Sequence, residues 1–108
     1  MGNGVTQGWL TGHFKFAVSM SCPGFDMDED DWRITVINRD KTVIFTKDNS
    51  VRDDGQWFIC LDSAEIGPGT AYIVFEAFVP DDDFPGGIRQ ETEMFELIKI
   101  KKIHHVMP

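Results

Sequence analysis

"HFKFAVSM", residues 13–20, is the stretch on which the fold turns. Phe14, Phe16, Val18 and Met20 fall on one side of a two-residue repeat, and His13, Lys15, Ala17 and Ser19 on the other. That period belongs to a strand with one face buried, since successive strand side chains point to opposite faces. "WRITVIN" (32–38) repeats the pattern, with Trp32, Ile34 and Val36 set against Arg33 and Thr35. Working outward, "TVIFT" (42–46) follows closely enough to make a hairpin. "QWFICL" (56–61) lies between the breakers "RDDG" and "DSAEIGPGT", and "TAYIVFEAFV" (70–79) and "ETEMFELIKIK" (91–101) complete the series. β-Branched and aromatic enrichment, with turn residues at intervals of about ten, marks these runs as strands. The last run contains good helix formers, yet Phe95, Leu97, Ile98 and Ile100 suit a closing strand, and a strand is predicted there.

Six to seven short strands in 108 residues predict an all-β fold, an immunoglobulin-like antiparallel β-sandwich, with a small barrel as the alternative. The sandwich is expected over residues 12–101, after a flexible N-terminal segment (1–11) and before a basic, His-containing tail (102–108). The Cys…Trp…Cys spacing of antibody domains is absent, so the likeness is one of architecture. Cys22 and Cys60 are too few for a disulfide scaffold or a closed zinc site, which leaves free thiols as the default.

An apolar content of 42%, with nine Phe and three Trp, is enough to fill one core and argues against disorder. The formal net charge of −8 opposes a nucleic-acid partner, because binding a phosphate backbone rests on Lys and Arg. No apolar run reaches the roughly 18 to 20 residues of a membrane span, so no membrane partner is expected. "MGNGVTQGW" shows no secretory pattern, and the expected location is the cytoplasm at synthesis. Gly2 and Thr6 fit a myristoylation pattern but lack a polybasic neighbour.

If the six main strands alternate in direction, loops 21–31, 47–56 and 80–89 fall at one end of the sandwich. They carry Asp26, Asp28, Glu29, Asp30, Asp31, Asp48, Asp53, Asp54, Asp81, Asp82 and Asp83, most of the chain's acids, opposed by Lys47, Arg52 and Arg89. The other end receives the basic tail with Lys99, Lys101, Lys102, His104 and His105. Three readings compete for the acidic end: charge that keeps loops soluble, a protein interface, or a calcium site. Calcium wants six to eight oxygens, and Asp26, Asp28, Asp81 and Asp83 are the carboxylates proposed for it. As an EF-hand loop, "DMDEDDW" fails, with Asp31 where Gly is needed and Ile37 where Glu is needed. Otherwise no cofactor is expected.

Catalytic patterns are weak. His13 lies on a polar strand face, and no serine stands in G-x-S-x-G. The glycines read as turn residues, because no helix follows them to cradle a phosphate. An enzyme is not expected.

"AFVPDDDFPGGIRQE" and "WFICLDSAEIGPGTAYIVFEAF" resemble small β-sandwich proteins associated with phage and prophage tail or baseplate genes of gut bacteria. Pro80, Asp81, Asp83, Phe84, Gly87, Arg89 and Glu91 carry the resemblance, which covers roughly residues 30 to 95. It implies a non-enzymatic structural or protein-interaction role, with protein partners, self-association into a homo-oligomer and incorporation into a virion. Asp81, Asp83, Phe84 and Arg89 are the expected interface or loop-anchor residues, with Phe84 tucked back and Arg89 paired to an adjacent Asp. The alternative function is calcium-dependent carbohydrate binding at the acidic end, with an exposed Trp9, Trp32 or Trp57 as the sugar platform.

Overall fold

The computed structural model describes residues 9–10 and 12–100, with side chains over 12–94. Among the described residues, eight strands and one α-helical turn follow in order, β1 (Trp9–Leu10), β2 (His13–Val18), β3 (Asp31–Asn38), β4 (Lys41–Phe45), β5 (Val51–Asp53), β6 (Gln56–Asp62), α1 (Ser63–Ile66), β7 (Gly69–Pro80) and β8 (Ile88–Ile100), with short 3-10 turns at Lys47–Asn49 and Pro85–Gly87. They form a five-stranded sheet in the order β1-β8-β7-β3-β4 and a three-stranded sheet in the order β2-β6-β5. The expected all-β sandwich is what the chain adopts, and the run 91–101 is strand up to the last described residue.

The period-two pattern works as a packing instruction. On β3, Trp32, Ile34 and Val36 are buried, and on β7, Ala71, Ile73, Phe75, Ala77 and Val79. Ile59 and Leu61 of β6, Phe45 of β4 and Ile66 of α1 meet them, with Phe16, Val18, Met20, Phe25, Met27 and Trp57 packed around the edge. The core therefore lies between the sheets, where each fully buried large apolar side chain is worth about 1.5–3 kcal/mol in transfer from water.

Three features fall outside the sequence reading. Trp9 and Leu10, assigned to the N-terminal segment, pair in parallel with Lys99 and Ile100, so the larger sheet is mixed. Residues 1–8, 11 and the tail from 101 lie outside the described residues, as does the basic end inferred from that tail. Val51–Asp53 adds a short strand that pairs with β6 through Val51–Phe58, Arg52–Trp57 and Asp53–Gln56. The "DSAEI" breaker forms one turn of helix, whose N-cap Asp62 accepts a hydrogen bond from the Ala64 amide.

β7 and β8 form the longest ladder, from Gly69–Ile100 to Pro80–Ile88, with a register shift where Tyr72 meets Glu96 and Ala71 meets Ile98. Leu97 is thereby left as an extra residue on β8, a bulge that bends the strand. Cys22 and Cys60 are free thiols.

Candidate functional site

The three acidic loops do converge at one end, and arginines join them. Arg52, from β5, bonds the Asp28 carboxylate through Nε and through Nη2, the latter at 2.9 Å, while the indole Nε1 of Trp57 donates to Asp28 Oδ1 at 2.8 Å. Lys47 Nζ donates to the Asp28 carbonyl at 3.0 Å. These bonds, Arg52 first and Trp57 next, hold the Asp28 carboxyl below the usual carboxylate range. The Asp28 loop is itself a tight turn: Asp26 Oδ1 accepts from the Asp28 amide, and Asp30 Oδ2 from the Asp26 amide. Trp32, fixed in the core, donates to the Met27 carbonyl at 3.0 Å and ties this loop to β3.

Arg89, at the start of β8, makes the second junction. Its Nη1 bonds Asp81 Oδ2 at 2.6 Å, its Nε bonds Glu91 Oε2 at 2.8 Å, and its Nη2 donates to the Pro23 carbonyl. One planar fork thus holds its own strand and two loops, a task suited to guanidinium geometry. The side chains of Arg89 and Asp81 are 20% and 19% exposed. Asp81 Oδ1 also accepts from the Asp83 amide, and this backbone bond leads Arg89 in holding the Asp81 carboxyl below its usual range. Backbone bonds from Asp81 N to Gly87 O, Phe84 N to Asp81 O and Gly87 N to Phe84 O close the turn.

"VPDDDFPGG" is therefore an ordered turn. Arg89 pairs with Asp81 as expected and Asp83 contributes its amide. Phe84 departs from expectation: its side chain is 44% exposed, so its backbone frames the turn while its ring faces outward. The ring is left out because the turn already closes through main-chain bonds and Arg89, with Pro85 next in the chain. Asp26 and Asp28 sit in the neighbouring loop. Among the described residues, no group of three or more His, Cys, Asp and Glu side chains is arranged to hold a metal ion. As for a sugar platform, Trp32 is 2% exposed and packs edge-on against Trp57 at 5.3 Å. Trp57 borders a cleft of about 280 Å³ with Met27, Asp28 and Gln56.

The outward face of the larger sheet was not singled out from the sequence. Cross-strand register aligns Ile44, Thr35, Val74 and Met94 in one row across β4, β3, β7 and β8. Ile37 and Tyr72 lie in the next row, and Phe78 and Ile88 toward the acidic end. Ile44, Tyr72, Ile88 and Met94 are exposed, Met94 to 68%. Polar relief comes from Arg33, whose Nε bonds Glu76 Oε1 at 2.8 Å, and from Gln90, which bonds Glu76 Oε2 at 2.7 Å. Arg33, led by that hydrogen bond, holds the Glu76 carboxyl below its usual range. A groove of about 540 Å³ borders this face, lined by Arg33, Phe78, Ile88, Lys47 and Asp48 among others. The signal was present in "TAYIVFEAFV": a strand apolar on both faces expects cover on both.

Among the described residues no helix is long and apolar enough to cross a membrane. Compared with protein-family models, with curated proteins and with solved structures, the chain matches none.

Proposed function

We propose that this chain is a non-enzymatic protein-interaction module, a rigid sandwich that presents the outer face of its larger sheet to a partner in an assembly. The row Ile44, Thr35, Val74 and Met94, with Ile37 and Tyr72 in the row beside it, carries the reading. Exposed large apolar side chains grouped on one sheet face are a feature of interaction sites. The arginine-tied loop end supports it differently: Arg52 and Arg89 fix loops that carry acids, so the end meets a partner as a preorganised, negatively charged rim. The sequence resemblance to phage tail and baseplate-associated proteins adds a setting, a structural component of a virion.

The test is light scattering after size exclusion over a range of concentrations, in low and high salt, beside binding of an apolar fluorescent dye. Association that survives high salt, and is lost in a Tyr72→Lys/Ile44→Lys variant that keeps its β circular-dichroism signal, supports the reading. A chain that stays monomeric at all concentrations and whose outer face binds no dye overturns it.

A further inference from the structure

β8 is paired on one side with β7 along its whole length. On the other side, among the described residues, it meets only Trp9 and Leu10, opposite Lys99 and Ile100. Among the described residues, the edge from Ile88 to Ile98 has no strand partner, and its main-chain donors and acceptors stand in a row interrupted by the bulge at Leu97. Native edges are commonly blunted by shortness, by proline or by lysine. Between Ile88 and Leu97 this edge has no proline and no lysine, but it carries Arg89, Glu91, Glu93 and Glu96 and ends at the bulge; its straight part is therefore a template only for a strand that answers those charges.

The side chains along it say which strand fits. Outward from the sandwich stand Ile88, Gln90, Thr92 and Met94, the register partners of Pro80, Phe78, Glu76 and Val74. On the opposite face stand Arg89, Glu91 and Glu93. Arg89 bonds Glu91 and Asp81, whereas Glu93 is exposed and meets no base among the described residues. We propose that β8 pairs antiparallel with β8 of a second copy about a two-fold axis at Glu91, joining two five-stranded sheets into one. The inference rests on reading the chain as an interaction module and adds to its outer face a second surface, the β8 edge, occupied by another copy.

In this register Arg89 faces the partner's Glu93, twice by symmetry, and Ile88 faces the partner's Met94, also twice. Gln90 faces the partner's Thr92. Directly opposed residues of an antiparallel pair share a face, so the sheet's apolar side continues across the axis and exposed Ile88 and Met94 cover one another. The two Glu91 carboxylates meet at the axis, each already bonded to its own Arg89 at 2.8 Å. Sliding the pairing so that Thr92 lies on the axis would set Glu91 against Glu93 twice. Sliding it the other way, to Gln90, would face Arg89 with the partner's Glu91, shorten the overlap and leave Glu93 alone. A slide of one residue would swap the faces of the joined sheet. Charge and apolar matching therefore select one register.

The experiment uses the full chain. Light scattering should give a dimer mass, and Glu93→Arg, which sets two cations against each other, should raise the dissociation constant roughly tenfold or more while the β circular-dichroism signal persists. In a Cys22→Ser/Cys60→Ser background, Glu91→Cys should form a disulfide across the axis on mild oxidation. Opposed Cα atoms there lie about 4.5–5.5 Å apart, within the bridging range; Thr92→Cys, off the axis, should not. A dimer unaffected by Glu93→Arg, uncrosslinked by Glu91→Cys and broken by Tyr72→Lys overturns the β8 pairing and leaves the interaction reading standing. A monomer at every concentration overturns the pairing too, whether its Thr92 and Met94 amides exchange slowly, with the edge closed within one chain, or fast. Dye binding then decides the interaction reading separately.

Discussion

Asn38 is the one buried polar side chain among the described residues, and its bonds explain why it is tolerated. Its Nδ2 lies 3.1, 3.3 and 2.9 Å from the carbonyl oxygens of Ile66, Gly67 and Pro68, so one amide from the end of β3 serves the turn that leaves α1. Gly69, at φ 121°, brings the backbone close enough that an added Cβ would stand 3.4 Å from Asn38 Oδ1. Asn38→Ala removes the donor from carbonyls in a site partly closed to water, and should cost about 1–3 kcal/mol; Asn38→Asp should cost at least as much, since it sets an acceptor against acceptors. Urea denaturation checks both, and an Ala variant as stable as the parent would mean that water replaces the amide without loss. Arg89 is the equivalent at the acidic end, but it works by charge as well as shape. Arg89→Ala should lower the melting temperature clearly, and Arg89→Lys should restore only part of the loss, because a point charge cannot hold Asp81, Glu91 and the Pro23 carbonyl together. Equal melting of Lys and Arg forms would reduce the fork to a simple charge effect.

Among the elements, the β5–β6 hairpin has the most exacting local demand. Asp54 at φ 49° and Gly55 at φ 79° both occupy the left-handed region, the requirement of a two-residue type I′ turn and the reason for an Asp-Gly pair. Gly55→Ala meets no atom within 4 Å, so its cost is conformational, about 1–2 kcal/mol; the same change at a glycine with negative φ would be near neutral or stabilising. Thermal unfolding of Gly55→Ala beside Gly55→Asn, which tolerates this region better, separates backbone strain from loss of contacts. That hairpin also shows what the sequence could and could not convey. The "DG" pair was visible as a breaker, but Val51–Asp53 offers no alternation long enough to read as a strand, and only pairing with β6 makes it one. The long strands were legible because Trp32, Ile34, Val36, Ile59 and Leu61 must share a face to be buried. Loop convergence was legible too, since strand parity alone places loops at ends. The partners within that end were not: Trp57 on Asp28 and Arg89 on the Pro23 carbonyl depend on three-dimensional closeness between residues far apart in sequence. The Phe84 ring departs from the expectation because hydrophobicity alone favours burial, while the turn closes by main-chain bonds and Arg89 without it.

At the scale of the molecule, a net charge of −8 would by itself make the folded state less comfortable as pH rises, because self-repulsion grows with ionised carboxylates. Three carboxylates act in the opposite sense. Asp28 is held low first by Arg52, Glu76 first by Arg33, and Asp81 first by the Asp83 amide and then by Arg89. Each has a folded-state pKa below its unfolded value, so near and below about pH 4 the unfolded chain binds more protons than the native one. Their stabilisation is therefore complete above the unfolded carboxylate range and is lost as pH falls through the folded values. Melting temperature should change little between pH 7 and pH 5.5 and drop steeply below about pH 4, with high salt weakening the Asp28–Arg52 part of the response most, since that pair is the most open to solvent. Asp28→Asn/Asp81→Asn should melt lower than the parent at pH 7 and show a shallower acid slope, the two curves approaching one another as pH falls through the lowered folded values and the parent carboxylates are neutralised. Melting followed by circular dichroism at pH 7, 5.5, 4 and 3 measures this. Parallel curves for parent and variant would remove these pairs from the acid response and leave it to the remaining acids, and with them the claim that arginine-held carboxylates set the rigidity of the loop end.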